Sequence, residues 1–293
     1  MRPKVLIGYD DTPEGEDALA LGRQISEILD ARPLVATIIS QPRDGVDAAD
    51  FDEAVQTYCE PLFAKARERL NGLDVQEQPM INDSPAAGIY ELTDWFNPTA
   101  IVIGSTRHGT SRRVQVGTVG GSLLSGVHST VAVAPRGYAD ADAAPRRIGV
   151  AIDGGSESRR GLLAAALLAD RLNVGLRVLS VMGQPHYVLG GLLSPLGPDE
   201  YREYKEKEWE HIYEDAAGRV PNGLPTEPVL LHGDPAEALA EATSDLDLLV
   251  LGSRGYGPVK GTLLGSVSAR VMAAAACPVL VVPRGAGVTP LEG

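Results

Sequence analysis

The sequence predicts an α/β fold: two tandem doubly wound domains, each a parallel sheet flanked by helices. Three observations carry that prediction. Short apolar strands alternate with helical segments, the pattern occurs twice in the same order, and a glycine loop follows the fourth strand of each half. Nearly continuous apolar strands separated by helices mark a parallel sheet covered on both faces.

In the first half, strands are expected at Lys4–Tyr9, Leu34–Ile39, Val75–Ile81, Thr99–Gly104 and Thr130–Ala134. In the second they are expected at Arg147–Ile152, Leu176–Val181, Thr226–Leu231, Asp247–Gly252 and Pro278–Val282. The first helix shows a stripe of Ala18, Leu21, Ile25 and Leu29 at helical spacing. The second shows Phe51, Val55, Tyr58, Leu62, Ala66 and Leu70. Both stripes read as core-facing surfaces. Each half closes on an apolar strand stopped by proline, Val131 to Pro135 and Pro278 to Pro283. A strand this apolar should not stand as an edge facing water. Pairing between halves or between subunits is expected to cover it, and shielding by another loop is the alternative.

The repeat fixes the organisation. Val5 to Asp10 matches Ile148 to Asp153 in pattern, 143 positions on, each an apolar strand ending at an aspartate. Ser84-Pro85-Ala86-Ala87 likewise matches Asp234-Pro235-Ala236-Glu237, each before a helix and a glycine-loop strand. The period lies far above the roughly 20–50 residues of solenoid arrays, so this is a duplicated domain. The domains are expected at 1–141 and 142–293, joined through the Ala-, Asp- and Pro-rich segment Gly137 to Arg146. A chain of 293 residues suits about two such units.

The net charge is −13, and both halves are acidic. Residues 1–141 carry 12 basic and 20 acidic side chains, the remainder 14 and 19. Extended contact with nucleic acid or an anionic membrane is disfavoured, because it draws on clustered Lys and Arg. Cys59 and Cys277, one in each half, suggest buried, inert thiols in a reducing compartment and no disulfide framework. No apolar run approaches membrane-spanning length, and Met1 to Lys4 lead straight into a strand, so a soluble cytoplasmic protein is expected. The five histidines show no metal spacing.

The most informative motif follows Leu248-Leu249-Val250-Leu251. Gly252, Ser253, Arg254 and Gly255 come first, then nine residues, then Gly265 and Ser266. Glycines let a backbone approach a ligand, and the first amides of a helix offer unpaired donors to an anion. The pattern reads as a phosphate cradle. In the first half Gly104 and Gly117-Thr118 keep the same thirteen-position interval, but Arg107 stands where the second copy has Gly255. Either its Cβ blocks close approach or its guanidinium contacts phosphate, and both readings stay open. In doubly wound sheets ligands sit beyond the strand ends where the order reverses. With strands one and four as the candidates, Asp153 and Gly252 would face one crevice, and Asp10 and Gly104 another. Either aspartate also has a plain reading as an Asx turn. The long segment Gly183 to Pro198 reads as a lid or as a variable surface connection.

With Gly233 to Glu237 and the closing Cys277 to Pro283, these motifs resemble a tandem universal stress protein over nearly the whole length. The resemblance implies five-stranded parallel sheets of order 3-2-1-4-5. It places Asp153 at adenine, Val181 beside the base, Gly252 and Gly255 near ribose and phosphate, and Gly265, Ser266 and Val267 on phosphates. The first-half counterparts are Asp10, Gly104, Gly117, Thr118 and Val119. The implied cofactor is ATP, with Mg²⁺ left open. The expected function is an ATP-binding stress-response regulator whose conformation or assembly nucleotide biases, with domain pairing inside the chain and a homodimer left open. A slow ATP hydrolase and a nucleotide-free interaction protein are the alternatives. The sequence carries no Gly-Lys-Ser or Gly-Lys-Thr loop and no Gly-x-Ser-x-Gly elbow, so a weak ATPase is the most enzymatic reading.

Overall fold

A computed structural model of the chain describes residues 2–40, 48–105, 118–140, 144–183, 198–253 and 265–283. The first half runs β1 (Lys4–Gly8), α1 (Pro13–Leu29), β2 (Arg32–Ile39), α2 (Ala48–Arg69), β3 (Gln76–Ile81), α3 (Pro85–Phe96), β4 (Ala100–Gly104), α4 (Thr118–Gly126) and β5 (Thr130–Ala134). The second runs β6 (Ile148–Ala151), α5 (Ser156–Leu172), β7 (Leu176–Met182), α6 (Pro198–Ala217), β8 (Thr226–His232), α7 (Pro235–Ala242), β9 (Leu248–Gly252), α8 (Ser266–Met272) and β10 (Val279–Val282). The strand boundaries differ from the sequence expectation by at most two residues, the usual scatter at element ends.

Local chemistry starts and stops these helices. Thr12, Ser84 and Asp234 cap α1, α3 and α7, each accepting a first-turn amide, and each is followed by a proline at the first helical position. Asp30, Asn97 and Asn173 end α1, α3 and α5 in the left-handed region, at φ of 49°, 43° and 53°. Short polar side chains tolerate that region better than other non-glycine residues do.

The strands form one ten-stranded sheet in the order β3-β2-β1-β4-β5-β10-β9-β6-β7-β8. Within each half the pairing is parallel, while β5 and β10 join the halves antiparallel, with Val131 opposite Val281 and Val133 opposite Val279. The two proline-stopped apolar strands therefore cover each other, and the edges of the sheet fall at β3 and β8. One core face packs α1, α2 and α5 against the sheet, with Ile25, Leu70, Val150 and Leu162 buried. The other packs α3, α4, α7 and α8, with Leu92, Leu123, Leu239 and Val271 buried.

One expected stripe needs correction. Of the second stripe, Val55, Leu62 and Ala66 in α2 and Leu70 just beyond it are buried as expected, and the Phe51 side chain lies outside the described residues, but Tyr58 is 60% exposed and Cys59 takes its place at 2%. Three-and-four spacing allows either neighbour at that turn, and the phenol, with its polar tip, is the one that tolerates water. Among the described residues no helix is long and apolar enough to cross a membrane.

Candidate functional site

The topology makes the site. β6 lies between β7 and β9, and β1 between β2 and β4. The helices that follow β6 and β9, α5 and α8, pack on opposite faces. Connections leaving in opposite directions open a crevice at the C-terminal strand ends. In the second half this crevice is a cavity of about 680 Å³, and in the first of about 310 Å³. Ligand pockets commonly fall between about 300 and 1,000 Å³, so the second is amply large and the first sits at the lower bound.

Of the second-half residues expected from sequence, Asp153, Val181, Gly252 and Val267 line the larger cavity. Gly265 and Ser266, the cap and first residue of α8, directly precede the lining residue Val267 but do not themselves line the cavity. Gly255 lies outside the described residues. The Asp153 Oδ1 accepts the Gly155 amide at 2.8 Å, an Asx turn that fixes the carboxylate at the strand end while Oδ2 accepts no bond from a described residue. Gly265 has no side chain to cap α8, so the amides of Ser266 and Val267 receive no side-chain acceptor. The Gly265 amide is itself engaged, donating to the Ser253 carbonyl at 2.5 Å, and Ser253 in turn donates to the Val282 carbonyl at 2.9 Å. These bonds clamp the base of the glycine loop onto β10. The Ser268 hydroxyl donates to the Gly252 carbonyl at 3.0 Å and fixes the first turn of α8 against the end of β9.

Gly252 has a structural duty that sequence alone did not reveal. A Cβ there would stand 2.6 Å from the carbonyl carbon and oxygen of Glu157, in the first turn of α5. At Gly104 a Cβ would overlap the Glu14 carbonyl of α1 in the same way. Glycine at the end of the fourth strand is what lets the helix after the first strand close over it.

In the first half Asp10, Gly104 and Val119 line the smaller cavity, with Tyr9 and Glu14 beside them. Thr118 begins α4, while Gly117 and Arg107 lie outside the described residues. The Asp10 Oδ1 accepts the Thr12 hydroxyl at 2.6 Å, and the Thr12 hydroxyl accepts the Gly15 amide at 3.1 Å. Tyr9 is 2% exposed and donates to Asp11 and Glu16, at 3.1 and 2.9 Å. Lys65 and Arg69 of α2 pair with those two carboxylates. Burial first, then the two carboxylates, raise the Tyr9 pKa well above the ordinary phenol value. This network ties α2 down beside the first-half cavity.

Sequence reading missed the wall that α6 supplies. Lys205, Glu208, Trp209 and Ile212 line the second-half cavity, as do Ser158 and Ser268. Four positions within eight residues on one helical face are visible as a pattern, but the density of charge in α6 disguises it as a solvent face. Both cysteines are free and buried. Burial raises the Cys59 thiol and pushes Cys277 up to about 12, so neither is poised as a thiolate.

Comparison with known proteins agrees with this architecture. The model of the universal stress protein family matches the chain twice, at residues 1–135 and 145–283. A universal stress protein of Mycobacterium tuberculosis is 24% identical over 294 residues, 95% of this chain and 99% of its own length. Another, of Mycobacterium bovis, is 31% identical over 213 residues, 69% of this chain and 67% of its own. Among solved structures, a universal stress protein from Archaeoglobus fulgidus shares the fold, with a TM-score of 0.69 at 18% identity over 96% of this chain and 98% of that one.

Proposed function

Because this chain belongs to the universal stress protein family, as a tandem two-domain member, we propose that it is an ATP-binding regulatory protein whose second half holds the nucleotide. The domains of this proposal are residues 1–141 and 142–293. The observation that carries the reading is the 680 Å³ cavity at the β6/β9 crossover, lined together by Asp153, Val181, Gly252 and Val267.

The residues fit the chemistry. ATP brings a planar base, a ribose and a triphosphate carrying most of the charge. The fixed Asp153 carboxylate can accept from an exocyclic amine or a ribose hydroxyl. Val181 offers an apolar side to the base. The uncapped amides of Ser266 and Val267, with the Ser266 hydroxyl, can donate to phosphate oxygens. Gly265 contributes through its lack of a side chain, since its amide is bonded internally. Gly255 is assigned to ribose and phosphate through the family motif alone. Mg²⁺ stays open in this proposal, and any that binds would come with the triphosphate; among the described residues no group of three His, Cys, Asp or Glu stands together as a metal site.

The first half serves in this reading chiefly as a structural partner. Its cavity is less than half the volume, and it joins the second half through β5 and β10. Asp10, Gly104, Gly117, Thr118 and Val119 are its weaker counterpart site. Nucleotide acts by favouring one conformation or assembly through differential affinity. A homodimer would have to use a surface other than the β5 and β10 edges, which are already paired. A cytoplasmic location is part of the proposal and rests on the two unpaired buried cysteines.

The test is to denature the purified chain, chromatograph the released small molecules, and titrate ATP into the stripped protein calorimetrically. Adenine nucleotide in the released fraction, or a saturable heat near one equivalent, is expected. No nucleotide and no heat up to millimolar ATP would remove the proposal.

A further inference from the structure

Helix α6 differs from its counterpart α2 in a way the repeat does not require. α2 packs down fully, burying Val55, Cys59, Leu62, Phe63 and Ala66. In α6, Ala216 alone is fully buried among the described side chains, while Trp209, Ile212 and Tyr213 are only partly covered. Ala66 and Ala216 stand 150 positions apart, as do Leu62 and Ile212, and the same interval sets Trp209 where the first half has Cys59. A small buried thiol in one half is thus an indole on the cavity wall in the other.

The indole is held from behind. Trp209 stacks on Tyr213, with ring centroids 6.2 Å apart and planes inclined by 20°. The Tyr213 hydroxyl lies 2.9 Å from the Thr226 hydroxyl on β8. The aromatic pair is therefore anchored to the edge strand, and Trp209 lines the same cavity as Val181 at the end of β7. Beside it Lys205 pairs with Glu208, so the wall presents an aromatic ring next to a locally balanced charge pair. The indole face offers a flat π-system a partner that a bare polyphosphate cannot use.

Building on the nucleotide reading above, we infer that Trp209 stacks on the base of the bound ligand and makes the second-half cavity selective for a nucleoside phosphate over a base-free polyphosphate. Trp209 and the exposed Trp95 of α3 are the two tryptophans of the chain. Trp95→Phe consequently leaves Trp209 as a single fluorescent reporter.

The experiment uses the full chain, stripped of small molecules, with ATP and inorganic tripolyphosphate as probes. In the Trp95→Phe protein, ATP is expected to change Trp209 emission along the calorimetric isotherm. Trp209→Ala should weaken ATP binding about 10-fold, a typical loss for a base–aromatic stack, and leave tripolyphosphate affinity unchanged. Trp209→Phe should restore ATP binding to within about threefold. ATP bound equally by wild type and Trp209→Ala would overturn this inference and leave the nucleotide reading standing. Equal loss of ATP and tripolyphosphate in Trp209→Ala would also overturn it, since that marks damage to the site rather than a lost stack. Absence of ATP binding to wild type would overturn both.

Discussion

Gly252→Ala separates two meanings of the glycine motif. The added Cβ would lie 2.6 Å from the Glu157 carbonyl carbon and oxygen and 2.9 Å from the Ser158 amide nitrogen, whereas ordinary contact begins at 3.4 Å. All three are backbone atoms, so no rotamer relieves the clash, and the first turn of α5 must retreat by the difference, about 0.8 Å. Overpacking a tight site costs about 1–3 kcal/mol, and a clash with helical backbone belongs at the upper end. An unfolding entropy of about 2.1 cal/mol/K per residue gives about 0.6 kcal/mol/K for 293 residues, so ~3 kcal/mol lowers the melting midpoint by about 5 °C. The assay is a circular-dichroism melt of the nucleotide-free full chain. Gly121→Ala in α4 is the control, because its Cβ would meet no described atom within 4 Å and a mid-helix alanine should raise the midpoint slightly. If Gly252→Ala melts like wild type while losing ATP, the glycine is there for the ligand alone, and the packing argument is wrong.

Burial opposes ionisation of Asp247, but bonds from the Arg147 side chain and the Arg146 and Arg147 amides outweigh it and hold the carboxyl below the usual range. Its folded pKa is thus depressed, so the stabilisation is present above the unfolded value of about 3.9 and lost as pH falls through the folded one. Asp247→Asn should cost about 1 kcal/mol at neutral pH after allowing for partial exposure. The gap in midpoint from wild type should close on acidification below about pH 4, and a gap constant with pH would contradict the assignment. Asp234→Ala removes the cap that accepts the Ala236 and Glu237 amides, together with the Arg270 pair, and should lower the denaturant midpoint. Arg270→Ala breaks only exposed pairs with Asp234 and Glu237 and should lower it much less. The reverse ranking would show that the ion pairs, not the cap, hold α7 beside α8.

Much of the architecture was legible because it is written in local patterns. The apolar strands, the first-helix stripe and the proline-stopped ends of Val131 to Pro135 and Pro278 to Pro283 specify elements and the need to cover the last strand. The antiparallel sense of the β5–β10 pairing was not legible, since an apolar edge asks for a partner without naming its direction. Asp153 and Gly252 could be placed at one crevice because the crossover follows from the topology. The duty of Gly252 toward Glu157 could not be read, because a glycine in a sequence does not say which neighbour approaches it. Tyr58 was misplaced because an amphipathic ring satisfies an apolar stripe and a wet surface equally. Trp209 escaped notice for a related reason: whether an indole in a charged helix packs down or lines a cavity depends on how closely that helix approaches the sheet.

Nucleotide gripping the second-half crevice is the step on which the proposed function depends. Hydrogen–deuterium exchange of the full chain with and without ATP tests this most directly. Slowed exchange is expected in the peptides spanning residues 265–269 and 179–183, with much smaller change around 118–122. Protection absent from the first two segments, or concentrated in the third, would contradict it.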